Sequence, residues 1–564
     1  MRNQIPQRVG GLVLGVALAS AAITTTLANN ITGPSSSQSP YLLRARPGVV
    51  TVSLITVGDS VNLKPDGVTP YRAVGIMDGL GAYDNGDGTF TVVMNHEIGG
   101  SITSGVISPL GVARAHGNAG AFVSKWTIDK TTLQVLKGED LLQNNTSIFL
   151  SNNDPGTGTP HSGYLPGGTT VIQRLCSADL APVSACAWTD PNTGTFYGTT
   201  ARIFQTGEES GGIATSATGV GTLGEATVHF GRQWNMILTD DPNIPGDQSR
   251  TAFEMPHCGL FAWENNLANP LSQRITITMG MDDSTPGQVY VWVGEKQTTG
   301  NVVERAGLTR QSANDNLFVV KVPSLTTVDS SGVPLEDRAT PVSGAKGNSA
   351  AFQLLKSGNN GDVSGLTAAQ FEADSDSKGG TQFLRPEDGQ WDPNNPSDYY
   401  FVTTDRYDQV KDGAGTQIGR SRLYRLHFTD IANPALGGTI ACLLDGTEAG
   451  NMFDNMTITP SGSIFLQEDV GNQAHLGKIW RYSIKKGTLE LVAKHDPARF
   501  GDLGVPVAAP FNQDEESSGI IELYDILGEG WLLSDVQAHY NPGDPELVEG
   551  GQLLLMHFPP RQEK

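Results

Sequence analysis

Short acidic clusters recur along this chain, and most of them follow or precede a short apolar run. A cluster in this setting is expected at the end of a β-strand rather than on a helix face. Calcium takes about six to eight oxygen ligands, mainly from carboxylates and carbonyls. If the fold brings the clusters together, they predict a metal-dependent site. In chain order they are Asn95-His96-Glu97, Glu208-Glu209, Asp282-Asp283, Arg385-Pro386-Glu387, Asp454-Asn455, Glu468-Asp469 and Asp514-Glu515-Glu516.

Segments with partial apolar–polar alternation predict the strands that position these clusters. Irregular repetition of strand units over about 40 to 90 residues is typical of a β-propeller. We therefore predict an all-β fold with a single propeller domain, whose loops converge on the central channel. A pair of β-sandwiches is the alternative that strand counting leaves open. The predicted strands include residues 123–129, 288–293, 316–322, 422–428 and 478–484, with hairpin partners at 133–136 and 489–492.

Turns and insertions separate these strands. Residues 84–88 contain an Asn-Gly and an Asp-Gly step, which predicts a hairpin turn rather than a ligand set. Residues 330–379 are rich in Gly, Ser and Asp and predict a long surface loop. Within it, residues 366–372 are the one stretch that favours a helical turn or two.

Composition narrows the class of partner. The 564 residues include 68 glycines and 32 prolines, which favours a loop-rich β protein over a helical one. The formal net charge of −22 argues against nucleic acid or an anionic membrane surface, since either partner requires a basic patch. Solubility and the attraction of calcium are the two readings of this charge. We expect a monomer that acts on a small molecule.

The N-terminal segment predicts export. Arg2 and Arg8 precede an apolar stretch at residues 10–23, and Thr26-Leu27-Ala28 offers a cleavage site with small residues. The apolar run is shorter than the roughly 20 residues that a membrane-spanning helix needs. We predict a signal peptide at 1–28, a Ser/Pro-rich leader at 29–50 and the propeller at 51–560. The mature protein would be periplasmic or extracellular.

The four cysteines predict little reliance on disulfides. Cys176 and Cys186 flank a proline-containing turn, so a local disulfide between them is left open. Cys258 and Cys442 have no obvious partner, and the spacing matches no zinc motif. His96 and His539 are expected to pack or to support ligands rather than to bind metal themselves.

A series of motifs resembles the PhoX-type alkaline phosphatases, in the order that this family has them. The matching segments are residues 84–97 with Asn95-His96-Glu97, then Gln205-Thr206-Gly207-Glu208-Glu209, Gly280-Met281-Asp282-Asp283, Phe383-Leu384-Arg385-Pro386-Glu387, residues 451–458, residues 463–469 and Ser534-Asp535-Val536-Gln537-Ala538-His539. The resemblance spans most of the predicted propeller. It implies a six-bladed propeller that hydrolyses phosphate monoesters with calcium and, in some members, iron.

One family element has no counterpart at the expected place. The family's iron is held partly by a cysteine thiolate shortly before a Pro-Trp-Gly-Thr turn. The matching turn here is Phe196-Tyr197-Gly198-Thr199, and residues 190–194 before it contain no cysteine. Cys176 and Cys186 lie further upstream. The sequence therefore predicts calcium and leaves iron open, because calcium needs only oxygen ligands.

The candidate site divides into metal ligands and one substrate-binding residue. Arg385 is the candidate for the substrate, because its planar guanidinium suits a phosphoryl group and the charge that develops on it. Clustered carboxylates repel one another unless a cation lies among them. The candidate ligands are Asn95, Glu97, Glu208, Glu209, Asp282, Glu387, Asn455, Glu468, Asp469 and Glu516.

Two other functions fit the same sequence. A related calcium propeller could act as a lactonase or phosphotriesterase, whose substrates lack the dianionic phosphate that Arg385 is expected to bind. A non-catalytic surface protein could keep calcium for stability alone. Neither a nucleophile-elbow serine nor a nucleotide-binding loop is evident in the sequence.

Overall fold

The structure is a computed structural model that describes residues 30–103, 106–151, 164–166, 170–209, 230–405 and 421–559. The predicted signal peptide at 1–28 lies outside these ranges. Strands dominate the described residues, and helices are few and short. No helix among the described residues has the length and apolar character that crossing a membrane requires.

The strands of the first half are β1 (Asn30–Thr32), β2 (Leu42–Arg44), β3 (Val50–Thr56), β4 (Ser60–Leu63), β5 (Pro70–Arg72), β6 (Met77–Asp84), β7 (Thr89–His96), β8 (Gly100–Thr103), β9 (Val106–Pro109), β10 (Phe122–Asp129), β11 (Val135–Asp140), β12 (Ile148–Ser151), β13 (Tyr164–Pro166), β14 (Leu175–Asp179), β15 (Ala187–Thr189), β16 (Phe196–Gly198), β17 (Ile203–Glu208), β18 (Gln233–Ile237), β19 (Thr251–Glu254), β20 (Trp263–Ala268) and β21 (Ile275–Asp282).

Those of the second half are β22 (Val289–Glu295), β23 (Asn316–Lys321), β24 (Ser349–Lys356), β25 (Pro386–Asp392), β26 (Asn395–Thr403), β27 (Arg422–Phe428), β28 (Gly438–Leu444), β29 (Phe453–Ile458), β30 (Ser463–Glu468), β31 (Lys478–Ser483), β32 (Thr488–His495), β33 (Ile520–Glu522), β34 (Trp531–Gln537) and β35 (Gly551–His557). The α-helices are α1 (Val302–Arg305), α2 (Ala368–Lys378), α3 (Pro497–Phe500) and α4 (Tyr524–Leu527), and short 3-10 helices cover Val183–Cys186, Pro256–Cys258 and Pro434–Leu436.

Six strands form an inner ring around the axis of the molecule. In ring order they are β6, β14, β20, β25, β29 and β33, and each contacts the next until β33 meets β6 again. Behind each inner strand, antiparallel strands continue outward as a blade, as in the sheet β6-β7-β10-β11. Pairing of β24 with β28 joins the outer edges of two blades into one nine-stranded sheet. This closed ring confirms the β-propeller prediction and excludes two packed sandwiches.

The two ends of the described chain meet in one sheet. Its order is β1-β3-β35-β34-β33, so strand β3 from the N-terminal part pairs with β35 from the C-terminal part. Residues 30–50, predicted as a leader, also contribute β1 to this sheet and β2 to the sheet of β29–β32. Because an N-terminal strand pairs with a C-terminal strand in this sheet, the ring of blades is closed where the two ends of the chain meet.

Apolar layers between neighbouring sheets hold the blades together. Phe204, Trp234 and Met236 of one blade pack with Val93 and Val123 of the preceding blade, and all five are buried. Because a blade is covered on both faces, its strands are buried almost continuously rather than in alternation. Strand β22 shows this, since four residues in a row from Val289 are fully buried.

Several local predictions can be compared with the structure. The predicted strands at 123–129 and 422–428 correspond to β10 and β27, and residues 85–88 form the turn between β6 and β7. The prediction of a long loop at 330–379 is wrong in part, because this segment contains β24. The helical turn or two predicted at 366–372 is confirmed by α2, which is longer than predicted. Helix α2 begins with a capping box between Thr367 and Gln370, and Gly379 ends it in the left-handed conformation.

Candidate metal centre

A repeated β-bulge shapes the start of the inner strands. In β6, β14, β20, β25 and β29 the pairing register with the second strand shifts between the first residue and the fourth. The two residues in between are freed from the regular ladder, which re-aims their side chains. The first freed residue of each strand carries an acidic or thiol side chain: Asp78, Cys176, Glu264, Glu387 and Asp454.

The backbone just before the bulge also repeats. Ile76, Arg174, Arg385 and Met452 each precede an inner strand with a positive φ, between 43° and 63°. Such a conformation costs of order 1 kcal/mol for a non-glycine residue and is retained where the surroundings over-determine it. Gly79 follows Asp78, and a Cβ there would lie 2.4 Å from the backbone nitrogen of Ala178. Glycine therefore lets β6 approach β14 closely at this level.

A second set of carboxylates comes from the ends of the second strands. Glu97, Glu209, Asp283 and Asp469 each directly follow the last residue of β7, β17, β21 and β30. The sixth blade departs from this pattern and contributes Glu516, whose backbone bridges Asp469 on one side and Gln537 on the other. The starts of the inner strands and the ends of the second strands therefore lie at the same end of the propeller.

The two sets converge into four groups of potential ligands. Within each group, one ligand atom per residue lies within 4.8 Å of the others. Cys176 and Glu264 each belong to two groups, which links three of the four into a continuous chain. The groups surround a cavity of about 270 Å³. They are Asp78–Glu97–Cys176, Cys176–Glu209–Glu264, Glu264–Asp283–Glu387 and Asp454–Asp469–Glu516.

The electrostatics of this cluster favour a bound cation. Burial, followed by the charges of neighbouring carboxylates, raises the pKa of Asp78, Glu264 and Asp454 well above the usual range. Oε1 of Glu264 and Oε2 of Glu387 are buried without a hydrogen-bond partner among the described residues. Unpaired buried carboxylate oxygens that face one another are the donor set that a hard divalent cation takes. The clustered carboxylates are therefore suited to bind a divalent metal ion.

Cys176 adds a thiol to the oxygen ligands. Its Sγ lies 3.2 Å from Oδ2 of Asp78 and 3.0 Å from Oε2 of Glu264. Burial, and then the charge of Asp78, raises the pKa of this thiol. All four cysteines are free, so the disulfide between Cys176 and Cys186 that the sequence left open is not formed. The bulge of β14 therefore places a thiol among the carboxylates.

Two arginines lie at the rim of the cavity. Nη2 of Arg174 lies 2.7 Å from Glu97 and 3.0 Å from Glu209. Nε of Arg385 lies 2.6 Å from Asp283 and 3.2 Å from Glu387. The Arg174 side chain is 48% exposed and that of Arg385 21% exposed, so both can be reached from the cavity mouth. Arg385 therefore lies at the cavity, and its role in substrate binding stays a prediction, whereas Arg174 was not predicted.

Five of the predicted ligands lie in the cluster: Glu97, Glu209, Glu387, Asp469 and Glu516. Glu208, Asp282 and Glu468 do not, because successive side chains of a strand point to opposite sides. Glu208 instead forms a buried ion pair with Arg232. Asp282 accepts a hydrogen bond from Ser284, and Glu468 accepts one from the indole of Trp480.

The two predicted asparagines are buried, and the Oδ1 atom of each has no hydrogen-bond partner among the described residues, so their role as metal ligands stays a prediction. The amide of Asn95 donates to the carbonyl of Cys176 and to the hydroxyl of Thr206, so it fixes the thiol-bearing strand. Asn455 follows the ligand candidate Asp454 and is buried. His96 stacks on Phe122 inside the fold, as expected for a packing residue. His539 hydrogen-bonds to Glu549 and lies 3.6 Å from Glu516, so it supports that carboxylate.

Six residues of the site were missed as ligands or substrate contacts: Asp78, Arg174, Cys176, Glu264, Asp283 and Asp454. Asp283 and Asp454 stood in recognised clusters, but the neighbouring residue was chosen. A usable signal for Asp78, Cys176 and Glu264 is an apolar residue followed by an acid or cysteine at the start of an inner strand, as in Met77-Asp78 and Trp263-Glu264. Nothing in a single such dipeptide distinguishes it from an ordinary strand start.

Comparison with known proteins supports the fold. No family model and no curated protein matches the sequence. The structure of PhoX from Pseudomonas fluorescens, solved in complex with the transition-state analogue vanadate, aligns over 91% of this chain and 95% of its own. The TM-score is 0.57 and the sequence identity 12%. The chain therefore has a PhoX-like fold.

Two further solved structures align less closely. An α-L-arabinofuranosidase from Fusarium graminearum covers 85% of this chain and 92% of its own with a TM-score of 0.36 and 8% identity. A putative 6-phosphogluconolactonase from Bacteroides uniformis covers 74% and 94%, with a TM-score of 0.26 and 10% identity.

Proposed function

We propose that this protein is a metal-dependent phosphomonoesterase that binds its substrate over the carboxylate–thiol cluster. The observation that carries the proposal is the joint convergence of nine carboxylates, one thiol and two rim arginines on one cavity. Carboxylates alone would serve a structural calcium ion. Arginines beside them add the planar donors that recognise a phosphoryl group.

The candidate ligands suit more than one kind of metal. The carboxylates provide the oxygen ligands that calcium prefers. The thiol of Cys176 is a soft ligand that calcium does not need, and it suits iron or another transition metal. When bound, the metals would polarise the phosphoryl oxygens and position the attacking oxygen. We therefore propose calcium together with one thiolate-bound transition metal, in place of calcium alone.

The chain's own residues would orient the substrate. Arg174 and Arg385 hold carboxylates from two pairs of blades, so their guanidinium groups are already positioned above the cluster. A phosphate monoester has three non-bridging oxygens, which two guanidinium groups can contact from two sides. As negative charge moves onto these oxygens and the leaving group, pre-positioned donors lower the barrier without reorganisation.

Hydrolysis of p-nitrophenyl phosphate at alkaline pH tests the proposal. We expect turnover that a chelator abolishes and that calcium with iron restores. Arg385→Ala should lower kcat by about 100- to 1,000-fold, the range seen when one pre-positioned donor is lost. Arg425→Ala is the matched control, because Arg425 faces Asp398 at the surface and is 35% exposed. Absence of turnover under every metal regime would contradict the proposal.

A lactonase or phosphotriesterase on the same scaffold is the second candidate, since the cluster could also polarise an uncharged ester. Parallel assays with a lactone and a phosphotriester separate the two. A phosphomonoesterase should lose turnover in Arg385→Ala, whereas an enzyme acting on uncharged substrates should retain most of it. Turnover of the uncharged substrates alone would favour the second candidate.

Export, the monomeric state and a small-molecule substrate stay predictions of the sequence. Secretion of the full chain by a bacterial host, with N-terminal sequencing of the product, would test the cleavage predicted after residue 28. The measured mass in solution would test the monomer.

A further inference from the structure

A second carboxylate pair lies inside the ring of inner strands, and one of its members, Asp388, directly follows the ligand candidate Glu387. Asp179 is the last residue of β14, and Asp388 is the second freed residue of the bulge in β25. They are only 5% and 2% exposed. Asn265 of β20 lies between these strands and hydrogen-bonds to both carboxylates. Two acids from non-adjacent blades therefore share one amide inside the channel.

Two neutral oxygens at this place have no partner. Oδ1 of Asn265 and Oη of Tyr399 are buried without a hydrogen-bond partner among the described residues. Both residues have no exposed surface. A Cβ on Gly389 would lie 2.5 Å from Oη of Tyr399, so this hydroxyl lies against the residue that follows Asp388. The charges of Asp388 and Asp179 raise the pKa of Tyr399 in addition to its burial, which places the hydroxyl near both acids.

Asp179 lines a different cavity from the residues of the metal centre. Burial and then the charge of Asp388 raise the pKa of Asp179, and the carboxylates of the metal centre do not contribute to this shift. The cavity that Asp179 lines has a volume of about 400 Å³ and is formed by the C-terminal ends of the inner strands, with Leu267 and Ile458 among its lining residues. The metal centre lies at their N-terminal ends, so the two sites have opposite mouths.

We propose that Asp179, Asp388, Asn265 and Tyr399 bind a second divalent cation, with calcium as the expected ion. Two carboxylates balance its charge, and the amide and phenol add neutral oxygen ligands of the kind that calcium takes. Water from the mouth at Asp179 completes the coordination shell. An ion here ties β14, β20 and β25 together, so its role is to fix the ring beneath the metal centre.

Backbone hydrogen bonds position the carboxylate of Asp388. Its oxygens accept hydrogen bonds from the backbone N–H groups of Met456, at 2.8 Å, and Gly389, at 2.6 Å. Backbone donors from two strands, β25 and β29, therefore hold this carboxylate in one position. The competing interpretation is a proton shared between the two acids, which needs no metal.

Anomalous diffraction from crystals of the full protein grown with calcium chloride tests the proposal directly. We expect a calcium peak within about 2.3 to 2.6 Å of oxygens of Asp179 and Asp388. Anomalous peaks in the metal centre together with no peak at Asp179 and Asp388 would overturn the proposal in favour of a shared proton. Because the wild-type protein is used, the result does not depend on whether a variant folds or on phosphatase activity.

Calcium stoichiometry by elemental analysis provides the second measurement. After dialysis, the double variant Asp179→Asn with Asp388→Asn should hold one calcium ion per chain fewer than the wild type. Glu522→Gln is the matched control, because Glu522 lines the same mouth but does not contact the pair. Equal stoichiometry in all three proteins would contradict the proposal.

Discussion

The adjacent acids Glu208 and Glu209 should have opposite roles, although they are chemically almost the same. Glu209 belongs to the metal centre, whereas Glu208 faces away from it. The carboxylate of Glu208 accepts bonds from Nε of Arg232 at 3.0 Å and Nη2 at 2.8 Å. It also accepts the backbone N–H of Gln173 at 3.1 Å. We predict that Glu208→Gln damages stability and that Glu209→Gln damages metal binding.

The magnitudes follow from burial. Glu208 is fully buried and the side chain of Arg232 is only 3% exposed. Removing one partner of such a pair leaves an uncompensated charge, at a cost of about 3 to 5 kcal/mol. Glu209→Gln removes an acid whose pKa burial raises well above its usual range. The chelated Glu209→Gln protein should therefore be no less stable than chelated wild type at pH 8.

Denaturant unfolding with and without calcium measures both effects. Glu208→Gln should unfold at lower denaturant concentration in both conditions and keep the wild-type gain on adding calcium. Glu209→Gln should show a reduced gain, because bound calcium contributes about 2.7 kcal/mol only when it exceeds Kd by about a hundredfold. Loss of calcium binding in Glu208→Gln with normal binding in Glu209→Gln would refute the assignment of the two side chains.

Three further outcomes are expected. Cys176→Ser should retain calcium but lose any bound iron by elemental analysis. Cys442→Ser should retain both, because the Cys442 thiol donates a hydrogen bond to the Leu444 carbonyl and belongs to none of the ligand groups, and equal iron in the two variants would contradict a thiolate ligand. Calcium-free protein should lose stability as the pH rises from about 5 to 8, because burial raises the pKa of Asp78, of Glu264 and, to about 8, of Glu515, and the folded state then binds more protons than the unfolded state. Thermal unfolding in the presence of a chelator measures this effect, and a rise in stability over the same pH range would contradict it. Leu54→Ala should lower the free energy of unfolding by about 2 to 5 kcal/mol, because Leu54 is fully buried in β3, where the two ends of the propeller join. Val68→Ala, at a position that is 79% exposed, is the control and should change this free energy little in the same denaturant assay.

The sequence predicted the class of fold and the kind of site. Alternating segments such as residues 422–428 predicted strands that the structure contains with the same bounds. Recurrent acids at strand ends predicted a shared site, and Glu97, Glu209, Glu387, Asp469 and Glu516 do meet there. Local composition was enough for these predictions, because strand propensity and turn chemistry act over a few residues.

Choosing the right member of each acidic pair required the tertiary structure. Glu209 rather than Glu208, and Asp283 rather than Asp282, reach the cavity. Which neighbour points inward depends on the exact residue at which the strand ends, and one residue of uncertainty reverses the side. The sequence alone does not fix that boundary.

Composition and local pattern were enough to predict a loop-rich β protein with acidic strand ends and to single out Arg385 as a candidate for substrate binding. Only the tertiary structure joined Asp78, Cys176, Glu264, Glu387 and Asp454 into one set, because the same β-bulge recurs in five inner strands. The physical reason is the distance along the chain. Residues hundreds of positions apart become neighbours only when the ring closes, and no local pattern records which of them will face its axis.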